Sequence, residues 1–390
     1  MKKQNIYFLI AIILIMLVGI YTLVREEKGI SIGENRTLQK FEHFTLKSYI
    51  KGDYQNKLES AMSDQFTGSE TIKLNLKSML QFFDYNDIPK SVCKNRYVSF
   101  SDWHANYNCD DYLLYKYENY NETIEKIIKG KIDMYNRVNE NIDTYYYFIP
   151  TSKILDFENN KYSIDVIKLL EENLKNQKSF SYLDFNNYDE YKEYFYKTDH
   201  HWNYKGSQKA YEDIIYMFNK NANVVKPEEE IVFNNITFYG SLARASRILD
   251  YKESFKAYKY NLSNIKTLIN REVASYGNED EYLRDEFSED KFANHYALYY
   301  GDDYGEVIIE GNSGKRNLLI IGDSYTNSIN KLIGTHFNKT YDVDLRHYKE
   351  AFNEDFDIKT YIEKNDIDKV LIIMNYDLLL NSIFDIDWEE

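Results

Sequence analysis

Apolar and polar positions along this chain fall into a repeating order from Tyr112 onward. "YLLYKYENYNETIEKIIKGKIDMYNRVNE" reads as a long helix and "TYYYFIP" as a buried strand ended by Pro150. "SIDVIKLLEENLKN" then reads as a helix and "SFSYLDF" as a strand. "NYKGSQKAYEDIIYMFNK" puts Ala210, Ile214, Ile215 and Phe218 on one helix face. Near the end, "NLLIIG" predicts a strand, "SYTNSINKLIGTHF" a helix, "YDVDLRHY" a strand, "FDIKTYIEKN" a helix and "KVLIIMNY" a last buried strand. Continuous apolar strands alternating with helices predict an α/β fold with a parallel sheet covered on both faces.

The stretch from about 221 to 316 interrupts this order. Its polar run "GNEDEYLRDEFSED" reads as a solvated loop, and the stretch as an insertion. Upstream, Tyr54, Leu58, Ala61, Met62 and Phe66 recur at helical spacing, which predicts a stalk with a leading helix over about 25–90. "VCKNRYVSFSDWHANYNC" reads as a strand and loops at the start of a domain covering 91–390.

The N-terminus has a different pattern. After a short tail, residues 1–5, the run Ile6 to Val24 carries no charge and matches the length that crosses a ~30 Å hydrocarbon core. Lys2 and Lys3 before it favour an inside N-terminus. The reading is an uncleaved signal anchor over 6–24, with a cleaved signal peptide as the alternative. The large domain is then expected outside the cell membrane. Cys93 and Cys109 fit that compartment as a disulfide pair, with a reduced pair as the alternative.

Composition narrows the function. A formal net charge of −15 argues against nucleic acid as a partner, because phosphate binding needs clustered Lys and Arg. The 39 Tyr can stack on sugars, but a genome biased toward Lys, Asn, Ile and Tyr codons is the preferred reading of their number.

Two short blocks carry chemistry. In "LLIIGDSYTNS" the apolar run Leu318 to Ile321 ends in Gly322, Asp323 and Ser324, where ligands sit in parallel sheets. A serine at such a strand-to-helix turn has an exposed hydroxyl, and its own N–H can meet a developing oxyanion. A nucleophilic serine needs a base, and the base needs an orienting acid. "TDHHWNYKG" offers both. Asp199 and His201 are two apart, so in an extended segment they share a side, and His200 should point the opposite way. Trp202 would wall the site, and Tyr325 follows the serine. A metal site or a satisfied turn are the competing readings of Asp199, His200, His201 and Trp202. Together the blocks favour a Ser324–His201–Asp199 relay, which needs neither metal nor cofactor.

At these two blocks the sequence resembles the DHHW family of SGNH-hydrolase-like proteins, similar in turn to the alginate O-acetylation proteins. "ENRTLQKFEHFTLKSYIKGDYQNKLESAMSDQF" and "FYGSLARAS" extend the resemblance over most of residues 34–390. It implies a three-layer α/β/α SGNH-like sandwich after one transmembrane helix, with Ser324 as nucleophile, His201 as base and Asp199 as its orienter. Gly240 and Asn375 are then candidate oxyanion donors beside Ser324. Pro150 and Lys153 of "IPTSK" occupy the position of a Pro and Lys in related proteins. The implied activity is O-acetylation of an exported or wall polysaccharide at the cell surface, with a multi-spanning membrane O-acyltransferase as acetyl donor. A carbohydrate esterase using the same triad and a non-catalytic glycan-binding module are the alternatives.

Overall fold

The computed structural model describes residues 3–31, 36–66, 96–100, 105–115, 120–156, 161–162, 164–175, 179–246, 248, 251–262, 265–273, 293–299, 303–311, 316–386 and 388. Helix α1 spans Lys3–Val24, α2 Leu46–Lys51 and α3 Asp53–Gln65. The end of α3 holds the chain that leaves α1. The Gln65 amide accepts from the Lys28 N–H at 3.0 Å and donates to the carbonyls of Lys28 and Gln39. Many α1 side chains lie outside the description. Among the described residues no helix is long and apolar enough to cross a membrane, so the expected crossing is not borne out here.

A small antiparallel sheet follows, made of β1 (Arg96–Phe100), β2 (Ala105–Cys109) and β3 (Tyr112–Tyr115). The helix expected from Tyr112 onward therefore starts later. It is α4, Glu122–Asn141, and Asn121 fixes its start by accepting from the N–H groups of Thr123 and Ile124. Its buried face, Ile128, Ile132, Tyr135 and Val138, has the 3.6-residue spacing. Tyr112–Tyr115 pairs with β2 instead, because there its consecutive apolar side chains Tyr112, Leu113 and Leu114 are buried. Cys109 is buried in β2 and is not a free thiol. Its expected partner, Cys93, lies outside the described residues, as does the polar run at 277–290.

The rest is a mixed α/β body. In chain order it contains β4 (Thr144–Ile149), α5 (Ile164–Asn173), β5 (Phe180–Tyr182), α6 (Tyr188–Tyr194) and α7 (Tyr204–Phe218). The hairpin β6 (Glu229–Phe238) and β7 (Glu253–Lys259) encloses α8 (Ser241–Ser246). Strands β8 (Lys266–Ile269), β9 (Glu272–Val273), β10 (Glu306–Glu310) and β11 (Asn317–Ile321) come next. They are followed by α9 (Asn330–Gly334), β12 (Lys339–Val343), α10 (Leu345–Phe352), α11 (Ile358–Lys364), β13 (Lys369–Asn375) and α12 (Tyr376–Leu380).

The large sheet runs β9-β8-β10-β12-β11-β13-β4-β5. Pairings from β12 through β11, β13 and β4 to β5 are parallel, and those from β12 outward through β10 and β8 to β9 are antiparallel. The sheet is thus mostly parallel, with an antiparallel flank. That flank comes from within 221–316, so this stretch completes the sheet instead of interrupting it. Every residue of β13 is buried, as a strand covered on both faces must be.

Two expected elements are corrected near the serine. "SYTNSINKLIG" is not one helix: a 3-10 turn, Thr326–Ser328, precedes the short α9. The strand expected through Tyr348 stops at Val343, because the Asp344 carboxylate caps α10 by accepting from the Arg346 N–H at 3.0 Å.

Candidate active site

The site lies where β11, β13 and β4 end. From β11 the chain turns sharply through Gly322, Asp323 and Ser324. A side chain at Gly322 would meet the Thr326 methyl at 2.3 Å, so the turn needs glycine there. The Asp323 carboxylate shapes the turn by accepting from the Tyr325 N–H at 3.0 Å. Its other oxygen accepts from the Asn375 amide at 2.9 Å, which ties the turn to the end of β13. Among the described residues the Ser324 N–H has no acceptor. It therefore remains available to a developing negative charge.

The second half of the site is the loop 195–203. Phe195 and Trp202 form an antiparallel bridge, and Asn203 caps α7 by accepting from the N–H groups of Lys205 and Gly206. Between them Asp199 accepts from both the His201 N–H, at 3.0 Å, and His201 Nδ1, at 2.6 Å. His201 Nε2 then lies 2.8 Å from Ser324 Oγ. With its proton on Nδ1 donated to Asp199, the ring accepts the serine hydroxyl at Nε2. Asp199, His201 and Ser324 are 2%, 6% and 6% exposed. Burial opposes ionisation of Asp199. The charge and hydrogen bond of His201, with His200 and Arg244 behind them, outweigh it and hold the carboxyl well below the usual carboxylate range. Asp323 goes the other way: burial raises its carboxyl, against the pull of Arg346.

The block "FYGSLARAS" backs this loop. The Ser241 N–H donates to the second Asp199 oxygen at 2.6 Å, and the Gly240 N–H donates to Thr198 Oγ at 3.0 Å. A side chain at Gly240 would meet Asp199 Cβ at 2.3 Å, so glycine permits the approach of α8 to the loop. Of the expected oxyanion donors, Gly240 thus has its single N–H engaged in the scaffold, whereas Asn375 gives one of its two amide N–H groups to Asp323. Asn375 also caps α12 through its side-chain oxygen.

Other expected residues take different places. His200 does not turn away: its ring lies 3.8 Å from that of His201, and its Nδ1 is 2.6 Å from Ser241 Oγ. Strict strand alternation fails because the segment is a tight loop bonded to its own Asp199, not an extended strand. Trp202 is completely buried and donates from its indole N–H to Ser328 Oγ at 2.8 Å, so it supports the site from beneath and cannot line a pocket. Tyr325 is likewise buried, with its hydroxyl donating to the His200 carbonyl. Lys153, in the turn after Pro150, pairs with Asp377 and lies 4.8 Å over the Tyr115 ring. Tyr115 in turn is 6.1 Å from the His200 ring, which brings a lysine to the rim of the site.

Asp199, His200 and His201 each put a ligand atom within 4.8 Å of the others, which is the arrangement of a candidate metal cluster. The hydrogen bonds favour the relay. Three N–H donors already occupy the Asp199 oxygens, and His201 Nε2 faces a hydroxyl.

Sequence reasoning missed Tyr296 and Ser328. Tyr296 stacks on His201 with ring centroids 3.9 Å apart and planes 5° from parallel. It comes from the stretch read as an insertion, and only the fold brings it to the site.

No family model and no curated protein matches this chain by sequence. Solved structures do match. A DHHW family protein from Eubacterium siraeum aligns with a TM-score of 0.54 at 18% identity, over 76% of this chain and 96% of that one. Bacillus cereus PatB1 with a sulfonyl adduct aligns with a TM-score of 0.54 at 20% identity, over 74% of this chain and 99% of that one. A second PatB1 structure gives 0.51 at 21% identity over the same shares. In fold, this chain is similar to a DHHW family protein and to PatB1 over nearly the whole length of each.

Proposed function

We propose that this chain is a cell-surface O-acyltransferase that acetylates an exported or wall polysaccharide through Ser324. The observation that carries the reading is the hydrogen-bond line from Asp199 through His201 to Ser324, at 2.6 and 2.8 Å. His201 Nε2 takes the hydroxyl proton as Ser324 Oγ attacks the acetyl carbonyl. The oxyanion meets the Ser324 N–H. The tetrahedral intermediate collapses as the proton passes to the leaving group, which departs and leaves acetyl-Ser324. His201 then deprotonates a sugar hydroxyl, whose oxygen takes the acetyl group and frees the serine. Asp199 holds the Nδ1 tautomer and stabilises the imidazolium that forms in each step.

The likeness to a DHHW family protein and to PatB1 supports this reading, and so does the sulfonyl adduct in one PatB1 structure. Sulfonyl reagents modify activated hydroxyls. The intact hydrogen-bond line speaks against a purely binding role. The acetyl group comes from inside the cell, so a multi-spanning membrane O-acyltransferase is the proposed donor. Helix α1 is the proposed anchor: its 22 residues rise about 33 Å, close to a bilayer core. A Cys93–Cys109 bridge belongs to the same extracellular reading. The test is incubation with an acetyl ester donor, with and without glycan fragments. Acetyl-Ser324 by mass spectrometry and acetylated glycan support the proposal. Acetate release that glycans do not divert identifies an esterase instead.

A further inference from the structure

We propose that Tyr296 is a positioning residue that holds the His201 ring in plane and stabilises its protonated form. This rests on the relay reading above. His201 must present Nδ1 to Asp199 and Nε2 to Ser324 at once, so rotation of its ring breaks the line. Tyr296 covers one face of the ring in parallel, and the His200 ring lies 3.8 Å away with its plane tilted by 37°. Tyr325 closes an edge at 4.9 Å.

Tyr296 is itself fixed. It is 1% exposed, and its hydroxyl donates to Ser328 Oγ at 3.3 Å. The same oxygen accepts from the Trp202 indole, which links Tyr296 to the residue that follows His201. Arg244 on α8 donates to the Ala293 carbonyl at 2.9 Å and so pins the start of the segment that carries Tyr296. Burial pushes the Tyr296 phenol well above its usual range, so the stacked face stays neutral and electron-rich. A neutral aromatic face against an imidazolium is attractive. Catalysis forms that imidazolium, so the contact strengthens as the transition state is approached.

The other charged or titratable groups around His201 are Asp199 and His200 on its own loop, and Asp323 and Tyr325 on the serine turn. Arg244 on α8 acts through Asp199. None of these changes in a Tyr296 variant.

The experiment follows nitrophenol release from p-nitrophenyl acetate against pH in the full chain. Tyr296→Leu should lower the plateau roughly three- to thirtyfold and move the acid limb down by about half a unit to one unit. Tyr296→Phe keeps the ring face and should stay within about twofold with its limb in place. Replacement of Tyr296 by pentafluorophenylalanine keeps shape and reverses the ring's charge distribution, so it should behave like Leu without a cavity. Normal dependence on Ser324 with an unmoved limb and plateau in both the Leu and the fluorinated variant overturns the Tyr296 role alone. A Phe variant as impaired as Leu also overturns it, since the hydroxyl and not the ring face would then matter. Undiminished turnover in Ser324→Ala removes the relay, and the role of Tyr296 with it.

Discussion

The body around the sheet and the N-terminal segment treat their apolar side chains in opposite ways. In the body even the largest aromatics are inside: Tyr135, Tyr146, Tyr147, Tyr211, Tyr296, Tyr299 and Trp202 are buried. In the N-terminal segment Leu14, Met16 and Leu17 of α1 are exposed, as are Phe44, Leu46, Tyr49 and Ile50 around α2. The first region takes most of its large apolar side chains into its own interior and so fixes the buried cluster of Asp199, His201 and Ser324. The second leaves apolar surface for something else to cover. Chemistry and location should therefore be separable.

The largest expected effect lies in the body. Ser324→Ala should lower acetyl ester turnover by about 10^4-fold or more and abolish sulfonyl labelling, with an unchanged thermal midpoint. His201→Ala should cost a similar factor, because the members of a relay act as a unit. Asp199→Asn should cost roughly 10^3- to 10^4-fold, since it loses the tautomer control and the charge. A chelator should leave the rate unchanged; reversible loss would replace the relay by a metal site. His200→Ala, with His200 stacked on the base and bonded to Ser241, should cost about tenfold.

Removal of residues 1–24 sharpens the comparison from the other side. The protein should move from the membrane to the soluble fraction while its kcat/KM changes by less than about twofold. A large loss of activity would mean that the two regions are not separable.

The body should also show its buried carboxyls in its stability. Burial raises Asp342 to about 7 and Glu253 to about 8, against hydrogen bonds from Thr326 and Asn330 to the former and the Lys197 N–H to the latter. The folded state thus holds protons that the unfolded chain has released, so stability falls as pH rises from about 4 through 7 to 8. Asp199 has the opposite sign, and its contribution is lost only in strong acid. Asp342→Asn should flatten part of the fall and raise the midpoint at pH 8 by a few degrees, on the order of 1 kcal/mol. The proposed bridge is tested separately from the site: reduction should cost roughly 3 kcal/mol, and thiol labelling of unfolded, unreduced protein should find no free thiol.

Sequence alone determined the elements whose cause is local. The strands Asn317–Ile321 and Lys369–Asn375 are legible because runs buried on both faces are apolar throughout. Asp199 and His201 are legible as a pair because a side chain two residues away can bond its neighbour without help from the fold. Strand Tyr112–Tyr115 and the antiparallel flank were not legible, because their assignment depends on which distant strand offers a ladder. Tertiary structure alone decided that Ser324 meets a histidine 123 residues away and that Tyr296 covers that histidine. It also turned Gly240 from a candidate oxyanion donor into part of the scaffold, since a donor's role depends on the acceptor that folding sets before it.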